Sequence, residues 1–154
     1  MIRFALLGTG RIGKLHAANI ASNPKSRIEC IYDIDINIAK KVADSFGGTA
    51  VSSSQEAISN PNVDIVYICS ATPTHTEYIL SAAKAKKGIF CEKPIDLNIN
   101  KVEQCKKDLE NFNVPIQIGF NRRFDPSHLS TKAKKDKGDI GNLEQIVITS
   151  RDPS

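Results

Sequence analysis

Short runs of consecutive apolar residues alternate along the chain with longer stretches whose apolar positions recur every three or four residues. The runs are IRFALL (2–7), IECIYD (28–33), TAVS (49–52), DIVYICS (64–70), GIFCE (88–92) and PIQIGF (115–120). Residues that are apolar in succession, rather than alternately, suit strands buried on both faces of a parallel sheet. The longer stretches predict helices over about 12–22, on a face of Ala39, Val42, Ala43 and Phe46 that stops at Gly47-Gly48, and over SQEAIS (54–59). Two more are predicted over about 74–86 and on a face of Val102, Cys105, Leu109 and Phe112. Six strands with crossover helices make an α/β protein of the Rossmann type, a doubly wound parallel sheet with expected strand order 3-2-1-4-5-6.

After Phe120 the pattern changes. NRRFDPS (121–127) reads as a junction, a polar helix follows to about Lys137, and EQIVITS (144–150) is a good β-strand with no following sequence to pair with. The expectation is one complete domain over 1–120, with 121–154 supplying the junction, helix and first strand of a second, α+β domain that is otherwise missing.

Composition narrows the class. With 40% apolar and 25% charged residues in 154, the chain has the balance of a globular domain with a real core. The net charge of +4 comes largely from KAKKDKGD (132–139), which is interrupted by acids and carries no aromatic stacking platform, so a solvated helix face is expected and no nucleic acid. Cys30, Cys69, Cys91 and Cys105 are widely spaced and form no C-x-x-C pair, which favours buried thiols of a reducing compartment over disulfides or a metal site. The apolar run before Gly8 is too short for a signal peptide or a membrane span, so a cytoplasmic protein is expected.

GTGRIGK (8–14) fits two phosphate-binding loops at once. Gly8, Gly10 and Gly13 make the dinucleotide pattern G-x-G-x-x-G, while Gly8, Gly13 and Lys14 make most of a nucleotide-triphosphate loop. The latter needs Ser or Thr after its lysine to ligate magnesium, and Leu15 stands there; it also wants an acid ending a neighbouring strand, where Cys69-Ser70 stand. The dinucleotide reading needs a strand before, a helix after and an acid about twenty residues on, and all three are present, the acid being Asp33. Gly8 then allows the tight turn, Gly10 lets the backbone approach a pyrophosphate, and Gly13 lets the helix pack close to the sheet. A carboxylate at Asp33 accepts both ribose hydroxyls of NAD and repels the extra phosphate of NADP, and no arginine follows it, so NAD is the expected cofactor. The other role open to Asp33 is capping the next helix, for which Asp35 is equally well placed.

Three further segments fall at the carboxyl ends of predicted strands, where open α/β sheets bind ligands: CSATPTH (69–75), EKP (92–94) and GFNRRFDPS (119–127). With GTGRIGKLHAANI and YDID they resemble the Gfo/Idh/MocA oxidoreductases over essentially the whole chain, and EKPIDLNI with GFNRRFDP is most similar to the inositol-oxidising members. The resemblance implies an NAD-dependent oxidation of a polyol secondary alcohol to a ketone, here C2 of myo-inositol. It implies a cofactor site of Gly8, Thr9, Gly10, Arg11, Ile12, Gly13, Asp33, Ser70, Thr72, Pro73, His75, Glu92, Lys93, Asn121 and Arg122. Lys93 is the implied catalytic residue, its ammonium stabilising the alkoxide that develops as hydride leaves carbon.

Other residues near these segments read differently. His75 is as readily an N-terminal helix residue facing water, His16 shares a stripe with Ile12 and Ile20 and reads as a packed histidine, and Arg123 reads as an ion-pair partner for Asp125. The family takes the hydroxyl proton with a histidine four residues after an aspartate on the first helix of its second domain, a region this sequence does not reach. The resemblance thus implies that these 154 residues carry mainly the cofactor domain, inactive alone, and that a homo-oligomer forms through the second domain's sheet. A small polyol is the implied partner, with neither nucleic acid nor membrane. Two alternatives stand beside it: another sugar or polyol dehydrogenase of the same family, and a non-catalytic NAD-binding module.

Overall fold

The computed structural model describes residues 1–151, with six strands and six α-helices in alternation among them. The order is β1 (Ile2–Leu7), α1 (Arg11–Ser22), β2 (Ser26–Tyr32), α2 (Ile36–Phe46), β3 (Thr49–Ala50), α3 (Ser54–Ser59), β4 (Ile65–Ile68), α4 (His75–Lys84), β5 (Gly88–Cys91), α5 (Ile99–Leu109), β6 (Ile116–Ile118) and α6 (Pro126–Lys137). Short 3-10 turns occupy Thr72–Thr74 and Asn121–Phe124. The strands form one sheet in the order β3-β2-β1-β4-β5-β6, every neighbouring pair parallel, as the pattern predicts.

Successive strand side chains leave opposite faces of the sheet, so the core divides into two layers. Leu6, Ile28 and Ile31 pack with Ala17 and Ile20 of α1 and Ala39 and Val42 of α2. Ala5, Leu7, Cys30, Val66, Ile68, Ile89 and Cys91 pack with α3, α4 and α5 on the other face. No side of β1 meets water at Ala5, Leu6 or Leu7, which is why its sequence is continuously apolar. All four cysteines are free thiols, and burial pushes the pKa of Cys30 up to about 11 and that of Cys91 up to about 12.

Local signals set the helix starts. Asp35 caps α2 through a bond accepted from Asn37 N, and Ser53 caps α3 by accepting from Glu56 N while the Glu56 carboxylate reaches back to Ser52 N. Several boundaries differ from the sequence pattern. β3 is two residues long rather than four, because only Thr49 and Ala50 have a pairing partner, on β2. Phe112 lies beyond the end of α5 at Leu109, yet it still packs on the core and so continues the helical spacing without being helical.

The chain divides into two compact units, Met1–Gly119 and Phe120–Ser154. In the second, Asp125 caps α6 by accepting from Ser127 N and His128 N, Pro126 begins the helix, and Gly138 ends it in a left-handed conformation. α6 has no buried residue, in keeping with its polar sequence. The strand expected over 144–150 is not formed: residues 142–151 have no regular structure except a bend at Asn142, and Ile146, Val147 and Ile148 are exposed. A strand is defined by its ladder, and no described strand pairs with this segment. Among the described residues no helix is long and apolar enough to cross a membrane.

Hydrogen exchange at 144–150 should be far faster than at Ile65–Ile68, and comparable protection in a dilute sample would show that the segment has a partner strand. At the start of the sheet, Arg3 binds Asp64 through its main-chain N at 2.8 Å, Nε at 3.1 Å and Nη2 at 2.9 Å, and these bonds, the side-chain ones first, hold the Asp64 pKa near about 2. A depressed carboxylate pKa adds stability above the ordinary carboxylate value of about 4 that is lost as pH falls towards 2. Acid titration of the melting temperature should therefore show a shallower loss across that window for Asp64→Asn than for the parent.

Candidate functional site

The loop between β1 and α1 is shaped by what its glycines touch. At Gly8, φ is +92° and a Cβ would lie 2.6 Å from the backbone of Cys69 and Ser70. At Gly13 a Cβ would lie 2.1 Å from the Gly8 carbonyl oxygen, so α1 rests directly on the turn that precedes it. Gly10 is different: a Cβ there meets nothing within 4 Å, and its surface is open. Gly10 also forms the N-cap of α1 without a side-chain cap, and no acid stands in the first turn. The first-turn N–H groups of α1, with the positive end of the helix dipole, are thus free for an anion. Arg11, Ile12 and Lys14 are exposed around this opening.

Asp33 stands directly after β2, at the same edge of the sheet. Its Oδ2 accepts from Thr9 N at 2.7 Å and from Thr9 Oγ1 at 2.6 Å, and its Oδ1 accepts from Asp35 N at 3.1 Å. Burial alone would raise its pKa, but the Thr9 hydroxyl and the main-chain N–H donors outweigh burial and hold it below the usual carboxylate value. Thr9 is wholly buried and turned towards Asp33, so its side chain is not a ligand surface. The carboxylate has spent both acceptor directions of Oδ2 and one of Oδ1, which leaves one acceptor direction open on Oδ1. The capping of α2 falls to Asp35 alone.

At the end of β5, Glu92 and Lys93 precede a cis Lys93–Pro94 bond. The Glu92 carboxylate is engaged: Oε1 lies 2.8 Å from His16 Nε2, and Oε2 accepts weakly from Lys93 N at 3.3 Å. It also lies against Gly119, where a Cβ would come within 3.0 Å of Oε1. His16 Nδ1 lies 3.0 Å from the Tyr67 hydroxyl, and the ring packs against Tyr67 and Phe90. Burial raises the Tyr67 pKa, so the hydroxyl stays a phenol, and the two ring nitrogens of His16 lie between it and Glu92. His16 is therefore a packed histidine that ties α1 to the loop after β5.

His75 faces neither solvent nor an open pocket. Its ring is 1% exposed, with Nδ1 at 2.8 Å from the Pro94 carbonyl and Nε2 at 3.0 Å from the Ser70 carbonyl. The ring thus lies between the main-chain carbonyls of two loops, one before and one after it in the chain. Ser70 Oγ bonds Thr74 Oγ1 at 2.7 Å, and Thr72 and Pro73 form the short turn before α4. Lys93 is exposed, and its ammonium meets no hydrogen-bond or ion-pair partner among the described residues, unlike Lys87, whose Nζ is tied to two carbonyls. Asn121 and Arg122 belong to the second unit, where Arg122 pairs with Asp125 at 3.1 Å. Arg123 was the other arginine open to that pairing; in a 3-10 turn residues three apart eclipse, which brings 122 and not 123 over 125.

A family model described as an oxidoreductase family with an NAD-binding Rossmann fold, GFO/IDH/MocA, matches residues 2–120. The chain belongs to the Gfo/Idh/MocA family. Among its relatives, an inositol 2-dehydrogenase of Rhizobium meliloti is 40% identical over 99% of this chain and 46% of its own length. A solved myo-inositol dehydrogenase of Corynebacterium glutamicum is 42% identical, with a TM-score of 0.87 over 94% of this chain and 43% of that one. A solved scyllo-inositol dehydrogenase of Lactobacillus casei, with bound NAD(H) and scyllo-inositol, is 30% identical with a TM-score of 0.87 over 92% of this chain and 43% of that one. The chain thus spans less than half the length of these Gfo/Idh/MocA relatives.

The glycines of the loop separate cleanly in what they should tolerate. Gly13→Ala is expected to cost about 3 kcal/mol or more in a urea melt, because backbone must move. Gly10→Ala, at φ −64° in open space, should change stability by less than about 1 kcal/mol while weakening NAD in calorimetry.

Proposed function

We propose that this chain is the cofactor-binding part of an NAD-dependent dehydrogenase that oxidises a secondary hydroxyl of an inositol, myo-inositol at C2 in the first instance, to the ketone. The observation that carries the proposal is the free, exposed ammonium of Lys93 on a loop held on both sides. Glu92 is fixed by His16 before it, and the Pro94 carbonyl is fixed by His75 after it. The loop leaves a strand end at the same edge of the sheet as the glycine loop, which is where open α/β sheets bind ligands.

The residues present suit the cofactor. The open face over Gly10 and the uncapped N–H groups of Arg11, Ile12 and Gly13 would hold the diphosphate, and Asp33 Oδ1 would accept a ribose hydroxyl. Ser70, Thr72 and Pro73 would line the path towards Lys93, with Asn121 and Arg122 as further candidates on the second unit. When bound, NAD supplies the acceptor for the hydride that leaves the carbinol carbon. Lys93 would donate a hydrogen bond to the reacting hydroxyl and stabilise the oxyanion as charge develops on it. Thr9, Glu92 and His75 support the site from behind instead of touching the ligand.

The domain boundary is placed at 120, with 121–154 opening a second domain for substrate and homo-oligomer contacts. Free thiols raised in pKa by burial support a reducing, cytoplasmic setting. The test is NADH formation from myo-inositol by the protein at its relatives' length. Lys93→Ala should lower turnover by about 10² or more while NAD affinity stays within about twofold. No NADH from any inositol, or turnover untouched by Lys93→Ala, would overturn the assignment.

A further inference from the structure

We propose that Thr9 is a specificity-determining positioning residue, which sets the preference for NAD over NADP by pinning the Asp33 carboxylate to the glycine loop. The proposal rests on the reading of Asp33 as the ribose contact and extends it to a residue that does not touch the ligand. Among the described residues Thr9 and the linking His75 are the polar side chains of the buried core, and Thr9 lies within the loop itself. Both of its donors converge on one oxygen, Oδ2 of Asp33, at 2.7 and 2.6 Å. Hydrogen bonds to a charged acceptor are the strong class, and two on one oxygen leave the carboxylate a single orientation.

That orientation matters because an aspartate held by nothing can turn aside. Its side chain has few rotatable bonds, and swinging away from an incoming phosphate costs little if no hydrogen bond is broken. Pinned at Oδ2, Asp33 cannot withdraw and must stay ionised, so a phosphate in place of the ribose hydroxyl meets a fixed like charge. The bonds from Thr9 and the main chain also oppose protonation, the other route by which a carboxylate escapes repulsion. Discrimination then depends on the pair. Of its two bonds, the main-chain one survives any substitution at position 9 other than proline, and the hydroxyl one is removable.

The test is calorimetric titration of the 154-residue chain with NAD and with NADP, comparing the ratio of the two Kd values across variants. Thr9→Val keeps the shape and removes the hydroxyl; it should lower the NADP:NAD ratio by about tenfold, the worth of one charged hydrogen bond, while Thr9→Ser stays within about twofold of the parent. A loss of affinity for both cofactors alike, with the ratio unmoved, would mean that Thr9 only supports the fold and would overturn the proposal. Asp33→Asn is the reference: if it too leaves the ratio unmoved, the reading of Asp33 is wrong and the proposal falls with it. Should Thr9→Val not fold, Thr9→Ala replaces it, and carbon-detected titration of Asp33 gives a second reading. The Asp33 pKa should rise when the hydroxyl is lost, and an unchanged value would count against pinning.

Discussion

The contact on which the rest of the site depends is the approach of α1 to the carbonyl of Gly8. No side chain fits between them, since a Cβ on Gly13 would lie 2.1 Å from that oxygen. Helix and turn therefore meet backbone to backbone, with no side chain between them to give way. One turn further along, His16 falls where its ring reaches Glu92 in one direction and Tyr67 in the other. A looser seat at Gly13 would move both bonds. The glycine loop and the loop that carries Lys93 are thus coupled through a single helix.

A second theme is that the polar residues behind the site are spent on one another. Asp33 faces Thr9, Glu92 faces His16, and His75 faces two main-chain carbonyls. Each of these buried or half-buried groups has a partner, which is the condition for keeping it inside at all. The ammonium of Lys93 and the open face over Gly10, by contrast, remain uncommitted among the described residues. Preorganisation of this kind spares the bound state the cost of ordering its own donors.

The sheet order was legible because six uninterrupted apolar runs, each followed by a helical period, admit few other arrangements. The glycine loop was legible for a similar reason, its context supplying three independent conditions. What the pattern missed is direction. Thr9 lies in the motif, but only the structure shows its side chain turned inward to Asp33. His75 was poised between ligand and water on sequence, and its burial between Ser70 and Pro94 is a property of two loops distant in the chain. For 144–150, alternation records a capacity to pair, whereas a strand needs a neighbour to pair with. That Arg122 reaches Asp125 follows from the 3-10 geometry of their turn, which has no sequence mark.

The placement of β1 in the middle of the sheet also bears on how the chain is made. Its first edge is taken by β2, the next strand to be synthesised, and its second by β4, which follows only after α2, β3 and α3. Until then a strand that is apolar from Phe4 to Leu7 has one open side, and the Arg3 guanidinium has no Asp64 to bind. On the ribosome the first strands must therefore wait with an exposed edge, and that interval is when a nascent chain is most open to capture by chaperones or by a neighbouring copy. Arrival of β4 closes that edge and brings Asp64 to Arg3 together, so one strand removes both openings.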